Sequence, residues 1–340
     1  IGNAVVPFYG ADAGGALTAL LKDHIMIAVG IVAASIEDDE EAATTELKRW
    51  DDNAAEIAAL LSGANPNWPE DAVNDLLAQH LSLTKNELLA RLNGEWDDDI
   101  AAFDDIFTEI LTVASVLADG LVAQFPERFS PDSNAASLEA AMRRLWADHV
   151  IWTRQYIVSA VAGRPDADAA AGRLLRNQED IGNAAAGFYG DEAGAALTGL
   201  LKDHIMIAVD LVAAAKAGDT RAFKRHDRRW DANADEIAAF LAGANPNWPE
   251  DAVRDLLGQH LALTKGEAVA RLEENWANDV TAFDDILTEI VTMADALSAG
   301  LVAQFPEKFD GSAAEAGAPA ANGTASDGAK LHFASSFGER

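Results

Sequence analysis

The chain has 340 residues, 56 Asp and Glu against 25 Lys and Arg, a net charge of −31 and no cysteine. This excludes disulfides, thiolate metal sites and cysteine nucleophiles, and it opposes a phosphate backbone or an anionic membrane surface as partner. Acid dispersed along the whole chain suits a soluble, cytoplasmic protein of a high-salt environment, since concentrated salt screens self-repulsion within a few ångströms.

Residues 1–130 form a first module. Shifting the chain against itself by 180 residues aligns "IGNAVVPFYG" with "IGNAAAGFYG", "LKDHIMIAV" with itself and "FDDIFTEI" with "FDDILTEI". This is an internal duplication of one unit. The second copy is preceded by a segment, "SLEAAMRRLWADHVIWTRQYIVSAVAGRPDADAAAGRLLRNQED", that the first copy lacks, so the first copy is expected to begin partway through a second helix. Such an incomplete module exposes an apolar groove and invites self-association.

Residues 131–309 hold the complete module, and it reads as helix throughout. Ser137 is placed as N-cap of a first helix running to Ala162, stopped by Gly163 and Pro165, and Asp166 caps a second. Residues 191–217 form a third helix, closed by Gly218; Asp219 opens a fourth, ending at Gly243. A fifth is expected over 249–263 and a long sixth over about 265–305. There Val269, Leu272, Trp276, Val280, Phe283, Leu287, Ile290, Ala294, Leu297 and Leu301 recur at three- and four-residue steps. No strand alternation competes, so the fold is all-α: tandem antiparallel bundles, the first without its N-terminal helix.

The string "GANPNWPEDAV" occurs at 63–73 and 243–253. It reads as a corner: Gly63 and Gly243 end a helix at positive φ, Pro66 and Pro246 prevent continuation, and Asn67 or Asn247 caps the next helix. Trp68 and Trp248 cover the joint. Residues 310–340, rich in Gly, Ala and Ser, read as a disordered tail. No run of ~18 uninterrupted apolar residues occurs, so membrane insertion is not expected.

The histidines carry the functional signal. His149, His204 and His260 each fall on the apolar stripe of a different helix, as do Gln178 and Asn233, so all five are placed inward. Buried imidazoles and amides cost roughly 1–3 kcal/mol each unless hydrogen-bonded. Three readings meet that demand. In one, each histidine bonds an acid, amide or carbonyl from another helix. In the second, the imidazoles bind a divalent transition metal of the zinc or iron type, with Glu236 or Asp279 as carboxylate, and with His24, His80 and Glu56 as first-copy equivalents. In the third, Trp152, Trp230 and Trp276 line a pocket for an organic cofactor with Gln178 and Asn233. Asp284, Asp285 and Glu289 read as a solvated acidic face. No phosphate loop, nucleophile elbow or dinucleotide fingerprint is present, so no catalytic residue is assigned.

The strings "WADHVIWTR", "RLLRNQEDIG", "FYG", "LLKDHIMIA", "WDANADEIAAFLAGANPNW" and "FDDILTEI" resemble a family of small bacterial and archaeal all-helical proteins about one module long. Its members have no established activity and sometimes carry labels such as acetylglutamate kinase or glycosyltransferase. The resemblance covers the complete module and most of the first copy. It implies the helical fold and supplies no catalytic residues. The glycine-rich nucleotide sites that those labels imply are not in this chain.

Overall fold

The computed structural model describes residues 1–129 and 134–309. The expected tail at 310–340 lies outside them. Among the described residues there are ten helices and no strand: α1 Gly2–Ile36, α2 Glu40–Ala64, α3 Glu70–Asn93, α4 Trp96–Gln124, α5 Asn134–Ala162, α6 Ala167–Tyr189, α7 Asp191–Lys216, α8 Thr220–Ala244, α9 Glu250–Leu272 and α10 Trp276–Gln304. The protein is all-α, as its 3.6-residue periodicity requires.

Several boundaries follow local chemistry. Asp219 caps α8 by accepting from the amides of Arg221 and Ala222, and Asp39 does the same for α2 through Ala42. Gly163 and Gly218 end helices at φ 67 and 69, a region closed to most side chains. Gly10 breaks α1 at φ 87, matching Gly190 between α6 and α7, so the first turns of α1 correspond to the end of α6.

Three expected boundaries differ. Ser137 caps nothing, because α5 already begins at Asn134. The fifth helix does not stop near residue 263. Gly266 stays helical, no proline follows, and the Thr264 hydroxyl is absorbed by the His260 carbonyl, so α9 runs to Leu272. The turn comes at Glu274, at φ 57, followed by Asn275, whose side chain accepts from the Asn278 amide to start α10. In the first copy Gly94 takes the same left-handed place, a signal visible in "RLNGEW". Val269 therefore ends up on α9, and Val269, Trp276 and Val280 are exposed instead of continuing the buried stripe of α10.

The corner motif is a joint, built otherwise than its glycines imply. Gly63 and Gly243 stay inside α2 and α8, and the chain leaves each helix through Asn65 or Asn245 in extended conformation. These two asparagines are fully buried. Asn65 donates to the Gly120 carbonyl and the Tyr9 hydroxyl, and its own oxygen accepts from the amide of Asn67, which is thus a donor and not a cap. Asn245 bonds Tyr189 and Asn247 in the same way. Trp248 is buried beside Gly300 and its indole N–H donates to the Leu297 carbonyl at 3.3 Å. A Cβ at Gly300 would stand 1.9 Å from that indole nitrogen, so the close approach requires glycine.

Around this joint, α5 packs on α6, α6 on α7, α7 on α8, α8 on α9, α9 on α10 and α10 back on α5. The six helices close a ring, and α5 also touches α7 and α9 across its middle. Leu138, Ile181, Leu201, Ile237, Leu261 and Ile290, from six different helices, share one apolar core. Helices α1 to α4 repeat the packing of α7 to α10, but among the described residues no helix holds the α5 place beside α4. The two modules join where the Arg173 guanidinium bonds Asp104 at 2.7 Å and Asp148 at 2.9 Å, with Trp152 edge-on to Phe103.

Three helices, α1, α4 and α10, are long and apolar enough to cross a membrane by length and composition, with mean hydropathy 1.7, 1.8 and 1.6. The expected absence of such helices is therefore not borne out.

Replacing Gly300 by Ala should overpack the Trp248 joint and cost about 1–3 kcal/mol, read as a lower denaturation midpoint. Gly258→Ala, whose added Cβ meets nothing within 4 Å, should leave stability equal or higher in the same measurement.

Candidate functional site

The centre of the closed ring is polar by construction. His149 on α5, His204 on α7 and His260 on α9 are each only 3% exposed. Their rings lie together, with centroids 5.6 Å apart for His149 and His260 and 6.3 Å for His204 and His260. Each sits on a stripe of apolar residues, and the contacts of α5 with α7 and α9 bring the three stripes to one place.

Every imidazole has a dedicated partner on the next helix of its hairpin. His149 Nδ1 lies 3.2 Å from the Gln178 amide nitrogen, His204 Nδ1 donates to Asn233 Oδ1 at 2.9 Å, and His260 Nδ1 donates to Glu289 Oε2 at 3.2 Å. All three spacings are 29 residues. The first copy repeats two of them, His24 with Asn53 at 2.9 Å and His80 with Glu109 at 3.1 Å.

The partners set the tautomers. The Asn233 amide is oriented by donating its nitrogen to the Leu200 carbonyl, so its oxygen receives the Nδ1 proton of His204. The Glu289 carboxylate likewise receives the Nδ1 proton of His260. At His149 the sense is reversed. The Gln178 nitrogen lies 2.8 Å from the Leu174 carbonyl and 3.0 Å from Asn177 Oδ1, so its two N–H groups are shared among these and His149, and the amide cannot turn without losing the first two. Facing an N–H donor, Nδ1 of His149 holds no proton. The neutral ring then carries it on Nε2.

Neutral is the expected state of His204 and His149. Burial pushes His204 down to about 3, the neighbouring His260 adding to the effect and the Asn233 hydrogen bond opposing it. Burial, then His260 and His204, hold His149 well below the usual imidazole value. The free edges of the three rings line one crevice with Thr153, Ala208 and Trp230, and its space admits a water or a bare ion and nothing larger. His204 presents a lone pair to this crevice and His149 an N–H.

The other sequence-predicted residues fall elsewhere. Glu236 and Glu56 are exposed on α8 and α2, a turn from the buried face, and cannot reach the imidazoles. Asp279 is 1% exposed but is committed to Arg154 at 3.0 Å and Arg271 at 2.9 Å. Arg154 also reaches Glu267 at 2.5 Å, so one guanidinium is shared by two buried carboxylates. Trp276 is 52% exposed, under the Arg271 guanidinium, and lines no pocket. Trp152 is buried at the module junction, away from the crevice. Trp230 does line it, with its ring 5.1 Å from that of His204. Gln178 and Asn233 hold histidines rather than a cofactor. Asp284 and Asp285 are solvated as expected; Glu289 is not, being 5% exposed and the one carboxylate at the cluster. The repeated 29-residue interval is the signal that could have found it.

Among the described residues no group of three or more His, Asp or Glu is arranged to hold a metal ion. No family model, curated protein or solved structure matches the chain.

The lowered imidazoles fix a direction of pH dependence. Above pH 6.5 folded and unfolded rings are both neutral and the stability is full. As pH falls through 6.5 toward about 3, the unfolded His204 takes a proton that the folded ring refuses, so stability is lost. Against a His204→Gln variant, the wild type should lose about 1 kcal/mol more per pH unit below pH 6, measured by urea denaturation.

Proposed function

We propose that this is a non-catalytic helical-repeat protein in which the histidine cluster serves a structural and small-guest-binding role. The supporting observation is the pairing of all three buried imidazoles with their own hairpin partners. A catalytic base would need a ring nitrogen facing a substrate-sized space, and this crevice has room for a water molecule. A lone pair on His204 and an N–H on His149 match a single water, which would donate to the first and accept from the second. Trp230, whose indole N–H is buried without a partner, lines the same space.

The cluster also ties helices into register. A slip of one residue in α7 would turn His204 away from Asn233 and leave two buried polar groups unpaired, at roughly 1–3 kcal/mol each. A core of apolar residues alone penalises such a slip less. The acidic exterior belongs with this role: a scaffold that stays dispersed in concentrated salt.

A divalent transition ion is the rival occupant. It is favoured by His204 and His260, whose Nδ1 protons are held by an amide oxygen and a carboxylate, the arrangement that fixes metal-ligating imidazoles. The third ring resists. His149 could ligate through Nε2 only if its proton moved to Nδ1, which requires the Gln178 amide to turn and give up two hydrogen bonds, about 2–4 kcal/mol in all. Structural zinc sites release more than that, so measurement must decide.

Purified protein without a histidine tag should contain no stoichiometric transition metal, and Co²⁺ titration should give no tetrahedral absorption bands. One equivalent of cobalt with those bands, abolished by His260→Ala, would overturn the structural reading in favour of the metal. On the structural reading Glu289→Gln keeps a hydrogen-bond acceptor for His260 and should cost about 1–2 kcal/mol, while Glu289→Leu strands the imidazole and should cost more.

A further inference from the structure

The duplication supplies an internal comparison of one surface with and without its cover. Ile205 is 3% exposed and its first-copy equivalent Ile25 is 62%; Val212 is 4% and Val32 38%; Ile290 is buried completely and Ile110 is 38% exposed. In the second module Ile205 and Val212 pack against Trp152 and Ile157 of α5 and Leu174 of α6, and α10 packs on α5. The first copy leaves this face bare at Ile25 and Val32 of α1 and at Ile110 of α4, while Ile100 and Phe103 at the start of α4 meet Trp152. His24 and His80 stand at its base with their rings 6.1 Å apart and their Asn53 and Glu109 partners in place, while the position that His149 holds in the second module is unfilled by any described residue.

Charge points the same way. In the second module the buried Glu267 and Asp279 are met by two arginines, Arg271 and Arg154, the latter from α5. In the first copy Glu87 and Asp99 have one described guanidinium, Arg91, which is shared with Asp166. A crevice remains beside Glu87, Arg91 and Asp99, bounded by Trp152, Gln155 and Asp166 where α5 and α6 meet the first module.

We propose that the face formed by α1 and α4 is a docking site for a helical hairpin of the α5–α6 kind, belonging to a further repeat, that brings an inward histidine to His24 and His80 and an arginine to Glu87 and Asp99. A second copy of the chain is not the occupant. It could lend its own α5 and α6 only by baring the same face on its second module, which gains no net burial. Lipid is not the occupant either. The apolar character of α1 and α4 is that of a bundle interior, since α10, of nearly the same hydropathy, has half of its apolar stretch buried inside the closed ring.

The test is a labelled peptide of residues 134–180 titrated into the full chain. Saturable one-to-one binding should slow hydrogen exchange in residues 20–36 and 106–117, and Ile25→Glu should weaken it at least tenfold. That substitution is at an exposed position and should leave the melting temperature unchanged. Because a free hairpin lacks the packing that the bundle gives it, residues 134–180 are also placed directly ahead of Ile1, in register with the repeat. The added hairpin should then slow the same exchange, and its Arg154→Ala version should protect less. If neither peptide nor fusion protects α1 and α4, or Ile25→Glu changes nothing, the proposal fails. Concentration-dependent dimers that protect the same residues would assign the face to self-association, and protection only by neutral phosphatidylcholine vesicles would assign it to lipid; either outcome overturns the hairpin.

Discussion

The fold of the closed module depends on one constraint: three imidazoles in a buried centre must each find a hydrogen-bond partner within the protein. A buried unpaired ring nitrogen forfeits a solvation that apolar packing does not restore. The protein meets this by giving each hairpin its own pair, histidine on the first helix and amide or carboxylate on the second, always 29 residues on. Such pairs hold the two helices of a hairpin in fixed register. The convergence of the three histidine-bearing helices then brings the free ring edges to a single small crevice.

The partners do more than satisfy. Asn233 and Glu289 accept protons where Gln178 donates one, so the three rings are not chemically alike. The asymmetry has an upstream cause. Gln178 bonds Asn177, Asn177 donates to Asp148 at 3.1 Å, and Asp148 answers Arg173, which also clasps Asp104 of the first module. The orientation of one amide beside His149 is therefore linked by a hydrogen-bonded chain to the junction between the two copies. Polar networks of this kind are demanding, since one unsatisfied member costs more than an apolar replacement would.

The two copies also separate what a sequence encodes from what its surroundings supply. Ile25 and Ile205 follow the same local string, "LLKDHIMIAV", and form the same helix. One is a surface residue and the other a core residue because α5 and α6 lie over only one of them. Exposure here is a property of assembly. It gives the acidic, highly charged chain an apolar face in the one region where the repeat is not closed.

By itself the sequence determined the all-helical fold, the duplication, the inward placement of His149, His204, His260, Gln178 and Asn233, and the caps whose geometry is local, such as Asp219. These rest on periodicity and on short-range hydrogen bonding, both written in consecutive residues. It misplaced the α9–α10 turn because Glu274 adopts a left-handed conformation that its residue type does not advertise. It also set Glu236, Glu56 and Asp279 beside the imidazoles, where helix phase and two competing arginines exclude them. Which polar atom faces which histidine was decided by tertiary structure alone. That choice depends on how helices from distant parts of the chain rotate against one another, and a rotation of about 100°, the step between neighbouring helical residues, would put Ile290 in place of Glu289 at the buried ring.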